Sequence, residues 1–270
     1  MYCAPGNKTD GKTCLSLRAL KTIARSINMR GGNIHINQSK YSLWEDVRRS
    51  LSNVCQHEWC WIDQDVVKST NDPEILNYTF KPKKPHGKYQ WLSTSNIHDV
   101  MKQYERVYAD FVFFGPVPMD FNDIMPEVSK MNIPSLYKRG IRKIGVAFNT
   151  DPSSKPGRHW IGLFVDLNER TIEFFDSYAV CPPPEEIQKL IRHISSFSKE
   201  LPSDTLNKKG GEFTVLCNNV RHQQANSECG VYVMNFITER LRGHSFNSIM
   251  KTIVQDEIMN SKRDDFFRPH

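Results

Sequence analysis

The chain has 270 residues, 39% of them hydrophobic, with 36 Lys and Arg against 30 Asp and Glu for a formal net charge of +6. That length can bury a full core and suits one large domain, or a catalytic domain with a smaller appendage. No stretch approaches the roughly 18 uninterrupted apolar residues of a membrane span, and the start MYCAPGNKTDGK lacks the basic-then-apolar order of a secretory signal, so an intracellular protein is expected.

Residues 1–85 hold 13 Lys and Arg against 8 Asp and Glu, while residues 86–270 hold 23 against 22, which makes the N-terminal third the basic part. It is also the more helical. CLSLRALKTIARSIN sets Leu20, Ile23, Ala24 and Ile27 on one face and Arg18, Lys21 and Arg25 on another, the pattern of an amphipathic helix. A second helix is expected from Ser42, where Ser-Leu-Trp-Glu fits a capping box and Leu43, Val47, Leu51 and Val54 follow at helical spacing. The Pro/Lys run KPKKPHGKY (81–89) then breaks the apolar pattern and predicts a boundary near residue 85. The expected domains are therefore a helical, basic N-terminal arm, 1–85, and a core domain, 86–270.

After the boundary a Ser/Thr/Asn cluster predicts a helix from about Ile97 toward Tyr108. Short runs rich in β-branched and aromatic residues follow, KIGVAFN (143–149), HWIGLFVDL (159–167), TIEFFDS (171–177) and FTVLCNN (213–219), each bounded by turn residues and each read as a strand. Between them PPPEEIQKLIRHISSFSKE places Ile187, Leu190, Ile191, Ile194 and Phe197 on one helical stripe. A last helix is expected from Cys229 to about Arg242, stopped by Gly243. Strands bracketed by helices predict an α+β fold with a central mixed β-sheet.

Seven cysteines at 3, 14, 55, 60, 181, 217 and 229 are odd in number and irregular in spacing, a poor disulfide framework that predicts plain thiols in a reducing compartment. Cys3, Cys14, Cys55, Cys60 and His57 could ligate zinc, but the spacing is loose and no metal is assigned. Cys229 differs from the rest because it opens a helix, where unpaired N–H groups and the peptide dipoles favour a thiolate. Gly230 after it leaves room for a substrate backbone to approach the sulfur.

A cysteine nucleophile needs an imidazole to take its proton and a carboxylate or amide to orient that imidazole. His159 opens a strand and Asp176 closes the next one, so a hairpin would bring both to the same end of the sheet. Gln223, six residues before Cys229, offers a side-chain amide for an oxyanion, with Gln224 as its neighbouring competitor.

The order His159-Trp160, Asp176, Gln223, Cys229-Gly230 resembles the ubiquitin-like-protein (SUMO) protease clan of cysteine peptidases, which includes maturational proteases of adenoviruses and large DNA viruses. That clan reads His-Trp at a strand start, Asp or Asn after the next strand, Gln six residues before the nucleophile, and Cys-Gly at a helix start. WLSTSNI (91–97) resembles its Trp-Leu-Asn-Asp helix entry, with Ser93 and Thr94 in place of Asn-Asp. The resemblance implies a SUMO-protease/adenain-like core, Cys229, His159, Asp176 and Gln223 as catalytic residues, and no metal or other cofactor. It further implies that Trp160 and Trp91 roof a tunnel selecting Gly-Gly before the cut.

The expected function is cleavage of structural polyproteins of a large DNA virus after Gly-Gly during virion maturation, in host cytoplasm at assembly sites and in the virion. The alternatives are an isopeptidase acting on ubiquitin-like modifiers and a catalytically silent module that binds DNA or a scaffold. The expected partner is a viral polyprotein or a ubiquitin-like protein, with a weak nucleic-acid contact through the basic arm and no membrane.

Overall fold

The computed structural model describes residues 2–7, 11–202 and 211–270. Two compact units divide the chain, Met1–Lys84 with Asp264–His270, and Pro85–Arg263. The last seven residues thus cluster with the N-terminal part, whereas the sequence put them in the core domain. Within the first unit the backbone at Lys83 forms a bridge with Arg268, whose guanidinium also grips Asp63 at 3.0 Å.

The first unit is built on α1 (Leu17–Asn28) and α2 (Lys40–Leu51), followed by three short helices, α3 (Glu58–Trp61), α4 (Asp65–Lys68) and α5 (Pro73–Tyr78). Ser16 caps α1 by accepting the Ala19 N–H, and the expected stripe of Leu20, Ile23, Ala24 and Ile27 is buried. α2 starts earlier than its sequence suggests. Ser39, not Ser42, is the N-cap, and Val54 lies exposed beyond the helix end. Several cations of this unit are paired, Arg18 with Asp72 and Lys83 with Asp63, which offsets part of its positive charge.

The cysteines correct an expectation. Cys3 pairs with Cys14, Cys55 with Cys60 and Cys181 with Cys217, at Cα separations of 5.3, 6.1 and 6.3 Å that suit disulfides. Cys229 alone is left free. An odd count is what three pairs and one free thiol produce. The four thiols considered for zinc are thereby taken up in pairs, and His57 stacks on Trp59.

The second unit opens with α6 (Thr94–Val107), which starts at Thr94 because Ser93 and Asn96 form a reciprocal capping box. Then come β1 (Phe111–Val117), α7 (Phe121–Ile124), α8 (Pro126–Ser129), α9 (Ile133–Lys138), β2 (Lys143–Asn149), β3 (Trp160–Asp166) and β4 (Thr171–Phe175). The chain continues through α10 (Glu185–Ser196), β5 (Thr214–Cys217), α11 (Cys229–Leu241), α12 (Phe246–Lys251) and α13 (Asp256–Ser261). The strands lie in the order β1-β2-β3-β4-β5, with the outer pairs parallel and the two inner pairs antiparallel. β1 is absent from the sequence prediction because Gly115-Pro116 interrupts its apolar run. Proline is tolerated there because β1 is an edge strand, and its register shifts between Phe114 and Val117.

Every residue of β3 is buried, since helices cover both faces of the sheet. On one face Ile161, Leu163 and Val165 join a core with Ile187, Leu190 and Ile194 of α10. On the other lies α11, which is buried almost all round, as a helix with apolar residues on every side must be. Gly162 lets α11 approach, because a Cβ there would meet Val233 at 3.1 Å. Among the described residues, no helix is long and apolar enough to cross a membrane.

Candidate active site

β3 and β4 form the predicted hairpin, pairing Gly162 with Phe175 and Asp166 with Thr171. The start of β3 and the end of β4 therefore share one end of the sheet, and His159 Nε2 lies 2.7 Å from Asp176 Oδ1. The same carboxylate oxygen accepts the Tyr178 N–H at 2.9 Å. The backbone of Asp176 is held from both sides by Asn218, whose Oδ1 accepts its N–H and whose Nδ2 donates to its carbonyl, each at 2.8 Å. The His159 ring stacks on Tyr178 with centroids 4.7 Å apart.

His159 also hydrogen-bonds Cys229. Burial alone would lower the imidazole pKa. The hydrogen bonds to Asp176 and Cys229 oppose it and win, raising the group from its ordinary 6.5 to about 9. His159 thus lies between a carboxylate and a sulfur, both of which favour its charged form. Cys229 is buried, at the first position of α11 after Glu228 as N-cap.

Gln223 is fully buried on the loop leading to α11. Its Oε1 accepts the Ser177 hydroxyl at 2.6 Å, which fixes the amide, while Nε2 has no acceptor among the described residues. A buried N–H donor with nothing to bind is costly, and a transient oxyanion is one group that would satisfy it. The competitor Gln224 is exposed, with its backbone N–H donated to Asp256 at 2.9 Å.

The two tryptophans part company. Trp91 is 45% exposed and lines a groove of about 510 Å³ together with Thr150, Arg158, His159, Asp176 and Tyr178. Trp160 is buried, its indole N–H donated to the Leu92 carbonyl at 2.9 Å. Gly230 corrects a second expectation. A Cβ there would meet Leu92 at 3.1 Å and Trp160 at 3.3 Å, so the space beside Gly230 is filled by these side chains and is not open to a substrate. The sequence missed Asn218, Ser177 and Tyr178. Their positions next to Asp176 or in the turn before Gln223 were the one available signal, because their partners are distant in the chain.

A free thiol on a helix N-terminus, an imidazole bonded to it, a buried carboxylate behind the ring and a vacant amide donor make this α+β protein a cysteine peptidase in class. Residues 143–268 match the Ulp1 protease family, C-terminal catalytic domain. The chain is 31% identical to a thiol protease of Acanthamoeba polyphaga mimivirus over 87% of its own length and 77% of the relative's. It is 26% identical to a cysteine protease of African swine fever virus, over 87% of this chain and 93% of that one. The crystal structure of the African swine fever virus protease superposes with a TM-score of 0.71 at 23% identity, covering 100% of this chain and 96% of the other. The chain belongs to the Ulp1 family of cysteine proteases, and the catalytically silent alternative falls away.

Proposed function

We propose that this cysteine protease cuts viral structural polyproteins after Gly-Gly pairs during virion maturation, at assembly sites in host cytoplasm and in the virion. The observation that carries the chemistry is the meeting of Cys229, His159, Asp176 and the unpartnered amide of Gln223 at one end of the sheet.

In this reading the Cys229 thiolate attacks the scissile carbonyl carbon, and the electron pair moves to oxygen, where Gln223 Nε2 and the Cys229 N–H receive it. Collapse of this intermediate breaks the C–N bond as His159 gives its proton to the departing amine, leaving a thioester. His159, now neutral, takes a proton from water. The hydroxide forms the acyl–oxygen bond, and the sulfur leaves as thiolate while the new carboxylic acid departs. Asp176 holds the ring and stabilises its charged form. Each oxyanion donor is worth about 3 kcal/mol in enzymes where one has been removed.

In this reading Gly-Gly selection falls to Trp91, a large rigid ring exposed in the groove beside His159. Trp160 supports this wall from behind through its bond to the residue after Trp91.

The test incubates wild-type and Cys229→Ala protein with Gly-Gly-Xaa peptides, a ubiquitin-like fusion and a structural polyprotein fragment. Wild type should cut the peptides and the polyprotein after Gly-Gly, and Cys229→Ala should cut nothing. Cleavage of the modifier fusion alone would replace this reading with an isopeptidase.

A further inference from the structure

The groove continues past Tyr178. A second lobe, about 640 Å³ in volume, shares Tyr178, Val180 and Asn226 with the Trp91 lobe and adds Arg221, Gln224 and Ala225. Arg221 is exposed there, and its side chain is only partly committed. Its Nε donates to the Gln223 carbonyl at 2.8 Å, and its guanidinium carbon lies 5.1 Å from the centroid of the Tyr178 ring. These two contacts set the plane of the fork and leave both terminal amino groups without an acceptor among the described residues.

The neighbouring carboxylates direct their oxygens to other donors. Asp256 Oδ2 accepts the N–H groups of Gln224 at 2.9 Å and Ala225 at 2.6 Å, and its Oδ1 accepts the Tyr232 hydroxyl at 3.0 Å. Asp176 faces His159. The lobe is therefore a shallow surface with one oriented guanidinium that no carboxylate oxygen contacts among the described residues. A planar guanidinium with two free amino groups matches a carboxylate in a two-point contact, a fit that a lysine or a dispersed positive field does not give.

We propose that Arg221 forms a subsite for an acidic side chain on the substrate residues just after the cut. This placement rests on the Gly-Gly reading above: with Gly-Gly against Trp91, the chain leaving Cys229 crosses the Tyr178–Asn226 wall into the Arg221 lobe. An exposed ion pair of this kind gives a preference of about fivefold, weakened by salt.

The experiment digests a proteome-derived peptide library with wild type, Arg221→Gln, Arg221→Glu and Arg158→Glu, and reads the residues on each side of every cut bond by mass spectrometry. Arg158 lines the Trp91 lobe, so its reversal makes the same change in net charge elsewhere in the groove. Wild type should enrich Asp and Glu over Lys and Arg about fivefold after the cut. Arg221→Gln should flatten that ratio, Arg221→Glu should invert it, and Arg158→Glu should leave it in place. An acidic preference that survives Arg221→Glu, or is lost equally in Arg158→Glu, overturns the subsite. Gly-Gly sites with no charge preference overturn it alone. Acid-enriched sites lacking Gly-Gly keep the subsite and overturn the Gly-Gly reading, and a library left uncut overturns both.

Discussion

Asn218 brackets the peptide of Asp176, receiving its N–H and donating to its carbonyl through one side-chain amide. Both residues are buried, so truncation to Asn218→Ala leaves the Asp176 N–H without a partner, at a cost of about 1–3 kcal/mol, while the Asp176 carbonyl keeps the Ala179 N–H. Asp176 would lose its fixed position behind His159. The expected result is a lower Tm together with a fall in kcat that exceeds any change in KM.

Ser177 and Gln223 form a second such pair. Ser177→Ala removes the hydroxyl that holds Gln223 Oε1, so the amide is free to turn its donor away. About tenfold loss of kcat with little change in KM is expected, against about 10²–10³-fold for Gln223→Ala, measured by steady-state kinetics on one peptide. Equal losses in the two variants would argue that Ser177 acts by some route other than Gln223.

The pH dependence follows from His159. Burial lowers its pKa, and the bonds to Asp176 and Cys229 raise it further than burial lowers it, to about 9. A raised pKa on a cationic group stabilises the fold fully below the ordinary 6.5, and that contribution is lost as pH climbs through about 9. Activity should fall along the same alkaline limb as the imidazolium loses its proton, giving a bell-shaped profile of kcat/KM. Asp176→Asn should move that limb to lower pH and weaken activity without abolishing it. Loss as complete as in Cys229→Ala would contradict the part assigned to Asp176.

Gly230→Ala tests packing beside Cys229. The added methyl meets Leu92 and Trp160, and overpacking of this kind costs about 1–3 kcal/mol. Thermal unfolding should show a drop in Tm, and peptide turnover should fall because the Leu92–Trp160 contact sits directly behind the first turn of α11.

The parts of the fold legible in the sequence are those governed by local repetition. α1, α10 and α11 carry enough apolar positions to declare a buried face, and β2, β3 and β4 have compact apolar runs with clear turn residues at their ends. The helices α3, α4, α7 and α8 are four residues long, too short for any periodicity to register. The hairpin that brings His159 to Asp176 was legible because two adjacent strands fix where their ends fall. The buried state of Gly230 and Trp160 was not, since it depends on Leu92, which lies 68 residues before Trp160. Asn218 was hidden for a similar reason, as a polar residue after a strand reads as a turn until its partner 42 residues away is known.

The burial of α11 on all sides has a consequence for how such an enzyme diversifies. The Cys229 sulfur rides on a segment that cannot shift without disturbing the whole interior, while Tyr178, Val180, Arg221 and Asn226 stand on connecting loops that border the groove. Mutations in those loops can reshape the groove while Cys229 stays where it is, so a change of substrate need not pass through an inactive ancestor.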